Sequence, residues 1–312
     1  MDFLANYFGS LNPMSFLSAL PGNIAQGIIW GLMGLGVFLT FKLLNFADLS
    51  VDGSFATGGA VTAVMLINGC PVWATIIVAI LAGLAAGLVT GLLHTLLGIP
   101  DILAGILTQI ALYSINLNIM GKSNLPISYR NYTLVVSASN INMAILVGLG
   151  ICAVVIAAMY WYFGTEQGST IRSTGSNPAM SKAQGININF TKVIALALSN
   201  GLVALSGSLF AQYQGFADIN MGRGAIVIGL AAVIIGEVLG EAIFRKHMNF
   251  IIRMLFVIVG GILYYIAMGI VLWLKMPTDD TKLFTAIIVA IFLAVPYLSL
   301  IHISEPTRPE PI

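Results

Sequence analysis

The chain has 312 residues, of which 58% are hydrophobic and 8% charged, and its net charge is +1. A water-soluble fold of this size needs a far more polar surface, so lipid is its main solvent, and the balanced charge gives no reason to expect nucleic acid or an acidic partner. Cys70 and Cys152 lie in or beside apolar stretches, far from any histidine cluster, which argues against a disulfide or a metal site.

Residues 1–22 read as an N-terminal interfacial segment, with Phe3, Leu4, Tyr7, Phe8, Leu11, Phe16 and Leu17 at near-helical spacing. They lack the basic start and small-residue cleavage site of a signal peptide. Nine apolar segments follow, at 23–44, 54–69, 72–98, 101–120, 143–164, 191–213, 224–240, 251–274 and 283–300. Most reach the roughly 20 residues that cross the hydrocarbon as a helix; 54–69 and 224–240 are short and glycine-interrupted. The expected fold is an all-α integral membrane protein. Its permease domain covers 23–297, with repeats at about 23–164 and 191–297 around a cytoplasmic loop at 165–190.

Basic residues set the orientation. Lys42, Arg172, Lys182, Lys192, Arg245, Lys246 and Arg253 assign their loops to the cytoplasm, the N-terminus to the outside and the C-terminus to the inside. Lys122, Arg130, Arg223, Lys275 and Lys282 fall in the opposing loops, so the bias is modest. In the third segment Gly83, Gly87 and Gly91 form a stripe on one helix face, suited to close packing within the chain or across a dimer.

Phe46-Ala47-Asp48 recurs as Phe216-Ala217-Asp218, each copy followed by a short glycine-rich segment. With the topology above the two copies end on opposite sides of the membrane, which is the pattern of an inverted repeat that alternates access to a central path. Polar side chains within spans are costly and therefore candidates for that path. Asp48 and Asp52 are read as substrate or gate contacts, or else as helix caps or partners of Lys42. Asp218 and Arg223 flank the matching turn and are read in the same way, as substrate or gate contacts or as local structural groups. Glu237 lies deep in the seventh segment, as a gating group or one that snorkels to the cytoplasm. Asn200 and Gln212, with Gln109, Asn116 and Gln214, can hydrogen-bond a polar solute or simply join helices.

The cytoplasmic loop carries the clearest local motif. Asn177 is a favourable N-cap, Pro178 suits the first helical position and Gly185 suits a left-handed stop, so 178–184 should form a short, bounded helix. A separately capped helix between two spans suits docking of a soluble partner. No carboxylate pair, Ser/His set or metal spacing suggests an enzyme, and there is no G-x-x-x-x-G-K-[ST] phosphate loop.

Three stretches carry a family resemblance: GVFLTFKLLNFADLSVDGSF at 36–55, Arg172–Ile186, and LSGSLFAQYQGFADINMGRGAIVIGLAAVIIGE at 205–237. Together they resemble the permease subunits of ABC importers in the branched-chain amino acid and sugar permease group, within it the branch of tryptophan or tyrosine importers. The resemblance implies a homodimeric pore in the bacterial cytoplasmic membrane, a cytoplasmic ATPase dimer that holds ATP and Mg, and an extracytoplasmic substrate-binding lipoprotein. This chain would then bind no cofactor. Carried over by position, Arg172, Asn177, Pro178, Met180, Lys182 and Gly185 couple to the ATPase. The function expected is import of a small polar solute such as an amino acid, aromatic ones included. The rivals are an ion-coupled secondary transporter and a membrane-embedded scaffold. Finally, LSLIHISEPTR at 298–308 resembles translated sequencing-adapter read-through, so 298–312 is set aside as an artefact, and the natural tail is expected to differ beyond Tyr297.

Overall fold

A computed structural model describes residues 13–128, 132–244, 248–274, 283–292 and 294. Helix α1 (Pro13–Val37) passes into a π-helical turn, Phe38–Leu43, followed by α2 (Val51–Ile67), α3 (Val72–Leu97), α4 (Asp101–Met120), α5 (Ile141–Phe163), α6 (Glu166–Ser176), α7 (Pro178–Ala183), α8 (Ile188–Gln214), α9 (Ala225–Phe244) and α10 (Phe250–Trp273). A last apolar helix, α11, covers Leu283–Phe292. Seven of these helices, among the described residues, are long and apolar enough to cross a membrane. The two shorter apolar ones are α2 and α11.

Most of the expected apolar segments coincide with helices to within a few residues, and two boundaries differ. Residues 13–22 are not a separate interfacial segment but the first turns of α1, which continues through Pro21; residues 1–12 lie outside the described part. The segment read as short at 224–240 is a 20-residue helix, because the apolar periodicity continues to Phe244 beyond Glu237. The 298–312 reading lies outside the described residues.

The helices share two ends. At one end the π-turn, the C-termini of α3 and α5 and the N-termini of α4, α8 and α10 come together. There Lys192 donates to His94 Nε2 at 2.9 Å, while His94 Nδ1 bonds the Ile99 carbonyl at 2.8 Å. At the other end α2, α4 and α8 finish near one another, around Ile67, Lys122 and Gln214. There strand β1 (Asn124–Pro126) pairs antiparallel with β2 (Phe216–Asp218), placing Asn124 opposite Asp218. The core is apolar and tight. Trp30 stacks on Phe55 at 4.7 Å between ring centroids and meets Phe210 edge-on at 5.2 Å, tying α1, α2 and α8.

The glycine stripe of α3 faces inward, against α8. A methyl group at Gly83 would strike the Asn200 carbonyl, one at Gly87 the Leu196 carbonyl, and one at Gly91 the Val193 Cα. Close backbone approach is the main cohesive device where lipid supplies no hydrophobic drive for association. Within this chain the stripe is thus used for packing.

Candidate functional site: a polar cleft where two helices begin

Two helices start inside the protein rather than at its ends. After the π-turn the chain reverses at Asn45, whose φ of +55° lies in the left-handed region that asparagine tolerates better than most residues. It then returns inward through 46–50 and opens α2 at Val51. After β2 the chain likewise turns inward through 219–224 and opens α9 at Ala225. The two N-terminal turns meet. Asp52 accepts the backbone N–H of Gly224 through Oδ2 and of Ile226 through Oδ1, each at 2.9 Å. A side chain at Gly222 would collide with the Asp52 carbonyl, so this approach requires glycine.

Helix α4 serves as a ruler for depth. Its 20 residues span about 30 Å, the thickness of the hydrocarbon core. A methyl group at Gly53 would meet Leu112 at 2.9 Å and the Gln109 Cα at 3.2 Å, both near the middle of α4. The α2–α9 junction therefore lies at mid-depth. From it α2 runs toward the Lys122 end, and α9 runs toward the Lys42 end.

Beside the junction lies an open cleft of about 590 Å³, bounded by α2, α4 and the 219–224 turn. Asp52, Gln109, Ile110, Tyr113, Asn116 and Arg223 line it. Asn116 is 1% exposed, and both atoms of its amide lack a hydrogen-bond partner among the described residues. Arg223 is exposed and has no ion pair among the described residues. Reading Arg223 as part of a loop at the outer surface is thus corrected: the inward turn carries it to mid-depth.

Of the polar residues marked from sequence, Asp52, Gln109, Asn116 and Arg223 line this cleft, and Asp48, Asn200, Gln212, Asp218 and Glu237 do not. Asp48 and Asn200 come together elsewhere, in the core. Asn200 Nδ2 donates to Asp48 Oδ2 at 2.7 Å and to the Leu196 carbonyl at 3.0 Å, and Ser50 donates to Asp48 from both its backbone N–H and its hydroxyl, at 2.9 and 2.5 Å. This cluster anchors the re-entrant segment 46–50 to α8, and the expected pairing of Asp48 with Lys42 does not occur. Gln212 is fully buried, and its carbonyl oxygen accepts the Val135 N–H at 3.0 Å. Asp218 closes its own turn by accepting the Asn220 N–H at 2.7 Å. Glu237 pairs with Lys42 at 2.8 Å and with Arg253 at 3.4 Å, joining α9 to the π-turn and α10 at the basic end. Sequence reasoning named Gln109, Asn116 and Arg223 as candidates without bringing them together, and missed Tyr113. Their signal was the polar spacing along α4, where Gln109, Tyr113 and Asn116 recur every three or four residues.

The other site is α7. Asn177 Oδ1 accepts the Met180 N–H at 3.0 Å, Pro178 opens the helix, and Gly185 takes a φ of +83°, so the expected caps form. Pro178, Met180 and Lys182 are exposed, with Met180 at 59%. Arg172 belongs to the preceding helix, α6. Its guanidinium donates to the Phe163 carbonyl at 2.9 Å and sits 5.9 Å from the centre of the Phe250 ring. This bond closes the end of α5, while the residue itself remains exposed.

Comparison with known proteins agrees with this architecture. Residues 22–296 match the family described as "Branched-chain amino acid transport system / permease component", and the chain belongs to that family. It is a transport subunit of the bacterial cytoplasmic membrane, crossing it several times, without an ATPase site of its own. It is 42% identical over 285 residues to a tyrosine transport system permease protein of Clostridioides difficile, covering 91% of this chain and 93% of that one. It is 27% identical to the D-allose transport system permease protein AlsC of Escherichia coli, over 82% of this chain and 77% of that one. In fold it is similar to a chain of PsaBC from Streptococcus pneumoniae in complex with Fab, at a TM-score of 0.52 and 17% identity, over 93% and 95% of the two chains.

Proposed function

We propose that this chain is the permease of an ATP-driven importer for an amino acid, aromatic ones included, acting as a homodimer. An ATPase dimer would dock on its cytoplasmic face, and a substrate-binding lipoprotein would deliver solute from outside. The observation that carries the reading is the meeting of α2 and α9 at mid-depth, beside a polar cleft. Segments 38–67 and 210–244 each enter, turn back and restart a helix, and the two restarted helices point to opposite ends. We read this as an inverted repeat, in which rocking one half against the other moves the cleft between the two sides. The 42% identity to a permease named for tyrosine supports an amino acid as solute. Gly83, Gly87 and Gly91 are occupied by packing against α8 within the chain, so they are not the proposed dimer contact. Exposed Met180 and Lys182 on the capped α7 are the proposed contact to the ATPase, with Asn177, Pro178 and Gly185 setting its shape. ATP and Mg would be held by that partner.

Uptake into proteoliposomes tests the reading, using this chain with the ATPase and binding protein encoded beside it. Labelled tyrosine, tryptophan and leucine should enter only with ATP, and an ionophore should leave uptake unchanged. Uptake that needs an ion gradient instead of ATP would move the ion-coupled rival to the front.

A further inference from the structure

We propose that the cleft between α2, α4 and the 219–224 turn is the point at which the permease holds a zwitterionic amino acid in transit, with Arg223 binding its carboxylate. The inference rests on the amino-acid reading above and adds the site and the residue that recognises the solute. Four observations carry it. Arg223 stands at mid-depth, where an arginine is costly unless it faces water or a partner. It has no ion pair among the described residues. The one acidic group in the cleft, Asp52, directs its oxygens to the N–H groups of Gly224 and Ile226, so Arg223 keeps its charge for an incoming anion.

The fourth observation is Asn116. An amide buried to 1% exposure, with neither its donor nor its acceptor satisfied among the described residues, is a cost the fold carries for something outside itself. It lines the same cleft as Arg223. A carboxylate takes the guanidinium fork in two parallel bonds, a geometry lysine does not supply. The Asn116 carbonyl and the free lone pairs of Asp52 are acceptors for the ammonium group. Tyr113 and Ile110, both about half exposed, offer an aromatic and an apolar surface to the side chain. The volume of about 590 Å³ accommodates a bulky aromatic amino acid with water.

The test compares Arg223→Gln, Arg223→Lys and Asn116→Leu with the wild type in the full reconstituted complex. It reads labelled tyrosine, tryptophan and leucine uptake per ATP hydrolysed, binding-protein-stimulated ATPase activity, and the mass of the complex by light scattering. Arg223→Gln should lower amino-acid uptake per ATP hydrolysed at least tenfold while the complex keeps its assembled mass. Arg223→Lys should fall between, and Asn116→Leu should lower uptake severalfold. Uptake unchanged in Arg223→Gln overturns the proposal. So does loss of assembly in that variant, which would make Arg223 a structural contact with a second copy. If the wild-type complex transports ribose or a nucleoside and no amino acid, the functional reading itself fails, an outcome separate from the variant results.

Discussion

Asp52 and Ile226 lie 174 positions apart in sequence, yet the carboxylate of the first accepts the backbone N–H of the second at 2.9 Å. With the matching bond from Gly224, the opening turn of α2 caps the opening turn of α9. A helix start at mid-depth leaves N–H groups that lipid cannot satisfy. One carboxylate satisfies two of them and places a negative charge at the positive end of the helix dipole.

Asp52→Ala should therefore cost about 0.5–2 kcal/mol, the range for loss of an N-cap. Asp52→Asn should cost less, since its oxygen still accepts one of the two N–H groups. Thermal unfolding of the purified permease in detergent checks the order, and equal midpoints for all three proteins would contradict the capping role.

The Asp48–Asn200 pair makes a different demand. Asn200→Leu removes the 2.7 Å bond from a buried carboxylate that retains only its Ser50 donors, at a cost of about 1–3 kcal/mol. Asn200→Asp should be worse, because it sets a second carboxylate against the first. Both should loosen the 46–50 segment, seen as faster hydrogen exchange at Leu49 and Ser50, with little change in α10.

The α3–α8 contact separates glycines by place. Gly87→Ala drives a methyl group into the Leu196 carbonyl and should destabilise the protein by about 1–3 kcal/mol through overpacking. Gly150→Ala meets nothing within 4 Å and should be neutral or stabilising by up to about 1 kcal/mol through helix propensity. Resistance to unfolding in SDS measures both.

What was legible in the sequence was local. Asn177, Pro178 and Gly185 fix α7 by their own backbone preferences, and the hydrophobic runs mark the helices to within a few residues. Contacts made across the fold were not legible. Helix α6 contains Gly168, Gly175 and several Ser and Thr residues, a weak helical composition. It is held by tertiary contacts, with Arg172 on the Phe163 carbonyl and Gly175 close against Leu43. The β1–β2 pair joins three-residue strands about 90 positions apart, too short for any periodicity to register. Asp48 and Asp52 look alike in sequence, four residues apart in one motif. Only the fold separates them, sending one to a sealed cluster with Asn200 and the other to the cleft. Arg223 was marked at the matching turn yet also counted with the outer-loop cations, because counting charges along the chain cannot see a segment that turns back into the membrane.

We propose that ATP-driven motion enters this chain through α7. The most direct measurement is binding-protein-stimulated ATP hydrolysis in lipid for the assembled complex, comparing wild type with Met180→Asp plus Lys182→Glu. Both side chains are exposed, so the permease should fold as before. Stimulation should fall at least tenfold while the permease remains intact. Full stimulation in the double variant, with the ATPase still bound, would contradict it.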